Sequence, residues 1–205
     1  MSDLHRKTIT LGITGGIACG KSEVGRILGE MGFAVCDADR VAHGLMDKGT
    51  PVFQRVIDHF GDEILTEDGR ISRPDLGKIV FEDSSRLKLL NALVHPAVRE
   101  ALETWMTARK NENRSSAILL PLLFESGMDD LGWDAVVCVS SSEQTVFQRL
   151  EKRGLSPEEA EQRVLSQMPL AEKESRADVV IPNHGTLGEL ELAVRRIVGA
   201  IMLER

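Results

Sequence analysis

The chain has 205 residues, 42% hydrophobic and 28% charged, with a formal net charge of −7. That balance is ordinary for a globular protein and argues against disorder, and the acidic excess argues against nucleic acid as a partner. Three scattered cysteines (Cys19, Cys36 and Cys138), no C-x-x-C pair and no apolar stretch near the roughly 18 residues of a membrane span argue against a disulfide framework, a zinc site or a membrane protein. The start, MSDLHRKTITLGITGG, reaches glycines too early for a signal peptide, so the expectation is a cytoplasmic protein, a monomer or weak homo-oligomer.

In chain order, Ile9–Thr14 is a nearly continuous apolar run, the pattern of a strand buried on both faces of a parallel sheet. It leads directly into Gly15-Gly16-Ile17-Ala18-Cys19-Gly20-Lys21-Ser22, after which Val24, Ile27, Leu28 and Met31 recur at helical spacing and Gly32 stops the helix. A second strand, Ala34–Asp39, ends in Asp37 and Asp39, with a helix beginning near Arg40. From 43 to 115 only helix signals occur. Thr50-Pro51 opens a helix closed by Gly61, another begins near Ser72, a third runs through Leu87, Leu90 and Val94, and Pro96 starts a fourth. Ala117–Glu125 reads as a third strand that Pro121 bends or ends early, and Asp134–Ser140 as a fourth. Arg149 and Arg153 stand at i, i+4 on one helix face. Ser156-Pro157-Glu158-Glu159 is a capping box opening a helix that faces Val164 and Met168. Asp178–Asn183 is a fifth strand, and Thr186–Glu189 caps a closing helix striped by Leu190, Val194, Ile197 and Ile201. Strand–helix alternation predicts an α/β fold with a five-stranded parallel sheet, formed by 1–42 and 116–205, and a helical insert over 43–115.

The segment Gly15–Ser22 fits G-x-x-x-x-G-K-[ST] in the context this motif requires, after a strand and opening a helix. Its glycines permit a backbone that aims successive N–H groups at one anion, and the helix N-terminus adds about half a positive charge. Lys21 can reach the β- and γ-phosphates of a nucleotide, and the Ser22 hydroxyl is a hard oxygen ligand suited to Mg²⁺. In an open α/β sheet ligands bind beyond the carboxyl ends of the strands, where Asp37 and Asp39 are expected on one side of an extended chain. One could orient an acceptor hydroxyl and take its proton; the alternative is that one caps the following helix. Arginines on a mobile segment commonly meet the charge of a transferring phosphoryl group, a role open to Arg149, Arg153 and Arg163, with Lys173 and Arg176 further along.

These pieces together resemble the dephospho-CoA kinase family: TLGITGGIACGKSEV as its phosphate loop, VCDADRVAH as its D-x-D segment, LVHPAV as its His-Pro motif, PLLFE as its third strand, QRLEKRG with SPEEAEQRVLSQ as its lid, and ADVVIPNHG as its last strand. The resemblance covers nearly the whole chain in order. It implies a three-layer α/β/α P-loop NTPase fold with a substrate-binding helical insert and a helical lid at about 149–176. It implies transfer of the γ-phosphoryl group of ATP, with Mg²⁺, to the ribose 3′-hydroxyl of dephospho-CoA. It further implies nucleotide contacts from Gly16, Ile17, Ala18, Cys19, Gly20, Lys21, Ser22, Glu23, Arg149, Arg153 and Asn183. Acceptor contacts would come from Asp37, Asp39, His43, His95, Glu125 and Arg163, with Asp39, Lys21 and Arg149 catalytic. His5, His59 and His184 are expected at the surface. Ala18, Cys19 and Glu23 depart from the family's commoner Gly, Ser and Thr, at positions that contribute mainly backbone N–H groups. A nucleoside monophosphate kinase or another small-acceptor P-loop kinase is the rival enzyme. Asp58-His59-Phe60-Gly61 matches the D-x-x-G of a GTP switch, but no N-K-x-D motif accompanies it.

Overall fold

The structure, a computed structural model, describes residues 8–204, so His5 lies outside the described residues. Five strands, β1 Thr10–Gly15, β2 Ala34–Asp37, β3 Ser116–Leu119, β4 Ala135–Ser140 and β5 Val179–Pro182, form one sheet in the order β2-β3-β1-β4-β5. The β3–β1, β1–β4 and β4–β5 pairs are parallel. Carboxylates set the register at the amino ends. Asp134 accepts the Thr10 N–H at 2.8 Å, and Asp178 accepts the Val136 N–H at 2.7 Å.

Both faces of the sheet are covered, which is why its central strands read as unbroken apolar runs. Leu11 and Ile13 pack into a core with Val24, Ile27 and Leu28 of α1 (Lys21–Glu30) and with Leu190, Val194, Val198 and Ile201 of α9 (Leu187–Glu204). Gly12, on the opposite face, lies where an added Cβ would press on Leu123 and Trp133 at 3.0 Å. The helices α6 Glu143–Glu151, α7 Pro157–Leu165 and α8 Leu170–Arg176 connect β4 to β5, with α8 against β1 and β4. Ser156 and Glu159 form the expected capping box at α7. Among the described residues no helix is long and apolar enough to cross a membrane.

Two compact units result. One comprises the chain through Cys36 and from Met106 onward; the other is Asp37–Trp105. The second is built of α2 Ala38–Leu45, α3 Pro51–Phe60, a 3₁₀ turn Asp62–Ile64, α4 Arg73–Glu82 and most of α5 Ser84–Asn111. Thr50 caps α3 by accepting the Phe53 N–H at 3.1 Å, and Gly61 ends it at φ 82°. Ser72 caps α4.

Four sequence expectations change. β3 stops at Leu119 rather than Glu125, because Pro121 has no N–H to donate and the chain turns, burying Leu123 and Phe124. β2 stops at Asp37, so Asp39 is not on the strand. The Asp37 carboxylate accepts the Asp39 and Arg40 N–H groups at 3.0 and 3.4 Å and starts α2 at Ala38. Pro96 begins no helix. It lies inside the 28-residue α5, which continues through it with Val94, Val98 and Leu102 buried on either side. Finally, α7 ends at Leu165, leaving Met168 beyond it.

Candidate active site

The loop between β1 and α1 takes its shape from residues that tolerate left-handed backbone. Gly15 has φ 140°, and a Cβ there would collide with the Val139 carbonyl; Gly20 has φ 102°, and a Cβ there would collide with the Asn183 amide. Ala18 also sits at φ 56°, a conformation that glycine adopts without penalty.

The carbonyls of the loop are tied down one after another. Lys21 Nζ donates to the Gly15 and Gly16 oxygens at 3.0 and 2.8 Å. Arg149 Nη1 donates to Ala18 O at 3.0 Å, and Asn183 Nδ2 to Cys19 O at 2.8 Å. A trans peptide points its C=O and N–H in opposite directions. The N–H groups of Gly16, Ile17 and Gly20 therefore point opposite to the carbonyls that those donors hold. The donors are themselves braced. Ser141 Oγ donates to Asn183 O at 2.7 Å, Arg149 reaches Ser141 Oγ and Asn183 O at 3.4 Å each, and both Ser141 and Asn183 are buried. Ser142 N–H donates to His184 Nδ1 at 3.0 Å on the exposed side.

Cys19 is fully buried under the loop, and that burial pushes its thiol pKa up against the opposing pull of Lys21. Desolvation outweighs the lowering effects of Lys21, the backbone hydrogen bonds and Arg149 together. Ser22 is exposed in the first turn of α1, and Glu23 pairs with Arg26 at 2.6 Å. A cavity of about 400 Å³ is lined by Gly16, Ile17 and Cys19 from the loop, by Phe147 of α6 and by Val164 of α7.

The other cations divide sharply. Arg153 lies past the end of α6, so it does not share a helix face with Arg149; the chain turns there at Gly154, φ 85°. Arg163 is exposed in the last turn of α7. Lys173, read from the sequence as a possible phosphate-facing cation, is fully buried and 2.7 Å from Glu125 Oε1. Arg176 bonds Asp129 at 2.9 Å and lies over the Phe124 ring at 4.4 Å. Glu125 is in the turn after β3, where its carboxylate also accepts the Met168 N–H at 2.9 Å.

In the helical unit, Asp39 is exposed in the first turn of α2, and Asp37 is its cap. His43, in the last turn of α2, lines a cavity of about 610 Å³ together with Lys48, Arg70, Arg73, Leu76 and Val80. His95 is half-buried in mid-α5, and burial lowers its pKa, favouring the neutral ring. The bracing role of Ser141 and the burial of Lys173 were not anticipated. The only hint of the first is the serine run Ser140–Ser142 after β4. Nothing local marks the second, since its partner is 48 residues away.

A glycine-rich phosphate loop joining the first strand to the first helix of such a sheet, with a helical insert after the second strand, defines a P-loop kinase. The family profile described as dephospho-CoA kinase matches residues 9–189. The dephospho-CoA kinase of Bacillus cereus is 42% identical over 193 residues, covering 93% of this chain and 96% of that one. That of Carboxydothermus hydrogenoformans is 44% identical over 178 residues, 86% of each. Among solved structures, dephospho-CoA kinase from Campylobacter jejuni superposes with a TM-score of 0.70 at 28% identity, covering 95% of this chain and 98% of that one. Shikimate kinase from Acinetobacter baumannii, at 14% identity and a TM-score of 0.57 over 98% and 96% of the two chains, shares the fold alone. The chain belongs to the dephospho-CoA kinase family.

Proposed function

We propose that this enzyme transfers the γ-phosphoryl group of ATP to the ribose 3′-hydroxyl of dephospho-CoA, giving CoA, and that it works in the cytoplasm. The observation that carries the reading is the tethered loop. Its carbonyls accept hydrogen bonds from Lys21, Arg149 and Asn183, which supports a loop whose N–H groups would be left to receive phosphate. Residues 16–23 would hold the triphosphate. Lys21 would move its ammonium from the loop carbonyls to the phosphate oxygens, and Arg149, beside the same loop, would meet charge on the transferring group.

Ser22 offers one exposed hydroxyl oxygen, and among the described residues no group of three or more His, Cys, Asp or Glu is placed to hold a metal. That donor set fits Mg²⁺ carried in by the nucleotide rather than a resident ion in a protein cage. When bound, Mg²⁺ neutralises charge on the phosphates. Asp39, with its amide fixed by the Asp37 cap, would orient the acceptor hydroxyl and accept its proton. His43 and His95 of the insert would contact the acceptor, the neutral state of His95 suiting it to hydrogen bonding rather than ion pairing. Arg153 and Arg163, both exposed around α7, would close over the nucleotide.

A coupled assay with ATP and, in turn, dephospho-CoA, AMP, CMP and shikimate tests the substrate. A kcat/KM for dephospho-CoA at least about a hundredfold above the others is expected, since a site built to bond one acceptor rejects those that leave its polar groups unpaired. A preference for any of the other three defeats the proposal.

A further inference from the structure

The geometry points to Glu125 not as an acceptor contact but as a positioning residue that pins the hinge at the carboxyl end of the lid, with Lys173 holding Glu125 in place; the inference rests on the kinase reading above. Lys173 is fully buried, an unusual place for an ammonium group, because an interior charge is stable only when paired and hydrogen-bonded. It has two partners, Glu125 Oε1 and Pro121 O, each at 2.7 Å. Pro121 O is also within 3.3 Å of the Thr14 hydroxyl, one residue before the phosphate loop. The ammonium therefore joins α8, the turn after β3 and the end of β1.

Replacing such a pair with apolar side chains is often neutral or stabilising, so stability alone gives little reason for the charge to be buried. A positional reason is at hand. The same Glu125 oxygen accepts the Met168 N–H at 2.9 Å. Met168 follows the last residues of α7 and precedes Pro169, the cap of α8. The lid helix α7 thus hangs between the Gly154 turn at one end and a backbone amide fixed to Glu125 at the other. Met168 also lines the 400 Å³ cavity that includes Gly16 and Ile17 of the loop. Arg176, one turn beyond Lys173, pairs with Asp129 and stacks on Phe124, a second tie from α8 to the same turn. With α8 tied twice, motion of α7 must pivot at Met168, and the direction of closure is set by where Glu125 holds that amide.

Two double variants separate positioning from mere support. Lys173→Met with Glu125→Leu removes the charges and the acceptor for Met168, whereas Lys173→Met with Glu125→Gln removes the charges and keeps an acceptor. Both should melt alike. For the Leu pair kcat with saturating ATP and dephospho-CoA should fall about tenfold while the ATP Kd stays within about threefold, and the Gln pair should recover kcat to within about threefold of the unmodified protein. Equal kcat in the two double variants, or a Leu pair within about twofold of the unmodified protein, overturns the inference. Amide exchange at Met168 in the unmodified protein tests the clamp independently of acceptor chemistry and of variant folding. Protection of at least about a hundredfold, with and without a non-hydrolysable ATP analogue, is expected, and exchange at the unprotected rate in either state overturns it. An unmodified protein that leaves dephospho-CoA unphosphorylated defeats the functional reading instead.

Discussion

Ala18 carries a side chain in a left-handed backbone conformation, at φ 56°, in the middle of the phosphate loop. An L-residue there costs about 1–2 kcal/mol relative to its usual conformations. Glycine avoids that strain but loses about 0.5–1 kcal/mol through its more flexible unfolded chain. Ala18→Gly is therefore expected to stabilise the fold by about 0.5 kcal/mol, measured by urea unfolding with the same m-value. Destabilisation would mean that Ala18, itself buried, contributes packing that outweighs the strain. Asp39 is the residue whose role depends most on chemistry. Asp39→Asn keeps the shape and the N–H bonded by Asp37 but removes the carboxylate proposed as proton acceptor. Turnover should fall about a hundredfold or more with the ATP Kd nearly unchanged, and unchanged turnover would remove Asp39 from its assigned role.

At the scale of elements, caps were the most readable feature. Thr50, Ser72, Ser156 and Thr186 each stand at the start of a helix, because a hydroxyl followed by a polar or proline first turn satisfies amides locally. Boundaries that depend on tertiary packing were not readable. Pro96 alone marks a helix start, yet α5 passes through it. The Asp37-Ala38-Asp39 segment reads as a strand end, with a helix cap as the alternative, and the cap prevails at Asp37. The mid-helix placement of His95 has a measurable consequence. Burial puts its folded pKa below the ordinary value of 6.5, so the unfolded chain binds this proton more readily than the native one. Stability from this group is present above pH 6.5 and is lost as pH falls through that value toward the folded pKa. His95→Gln should accordingly shrink the drop in Tm between about pH 7.5 and 5.5, followed by calorimetry; an unaltered drop would assign it to other groups.

At the scale of the whole molecule, a chain of net charge −7 belongs to a kinase family that uses the polyanion ATP. The structure resolves this locally. Lys21 and Arg149 both bond to the loop that opens α1, so in the proposed binding mode the field at the phosphates would not follow the overall charge. The order of motifs along the chain was enough to read the sheet and the phosphate loop, since strand, glycine turn and helix are contiguous. The braces around the loop were not legible. Asn183 lies 164 residues from the Cys19 carbonyl it holds, and Arg149 lies 131 from Ala18, distances that only the folded chain closes. The most direct measurement of the central claim is the phosphorus NMR spectrum of the product formed from ATP and dephospho-CoA. Stoichiometric ADP with a new phosphomonoester coupled to the ribose 3′ proton is the predicted result. A monoester at another position, or ATP consumed with no phosphorus on the acceptor, would contradict it.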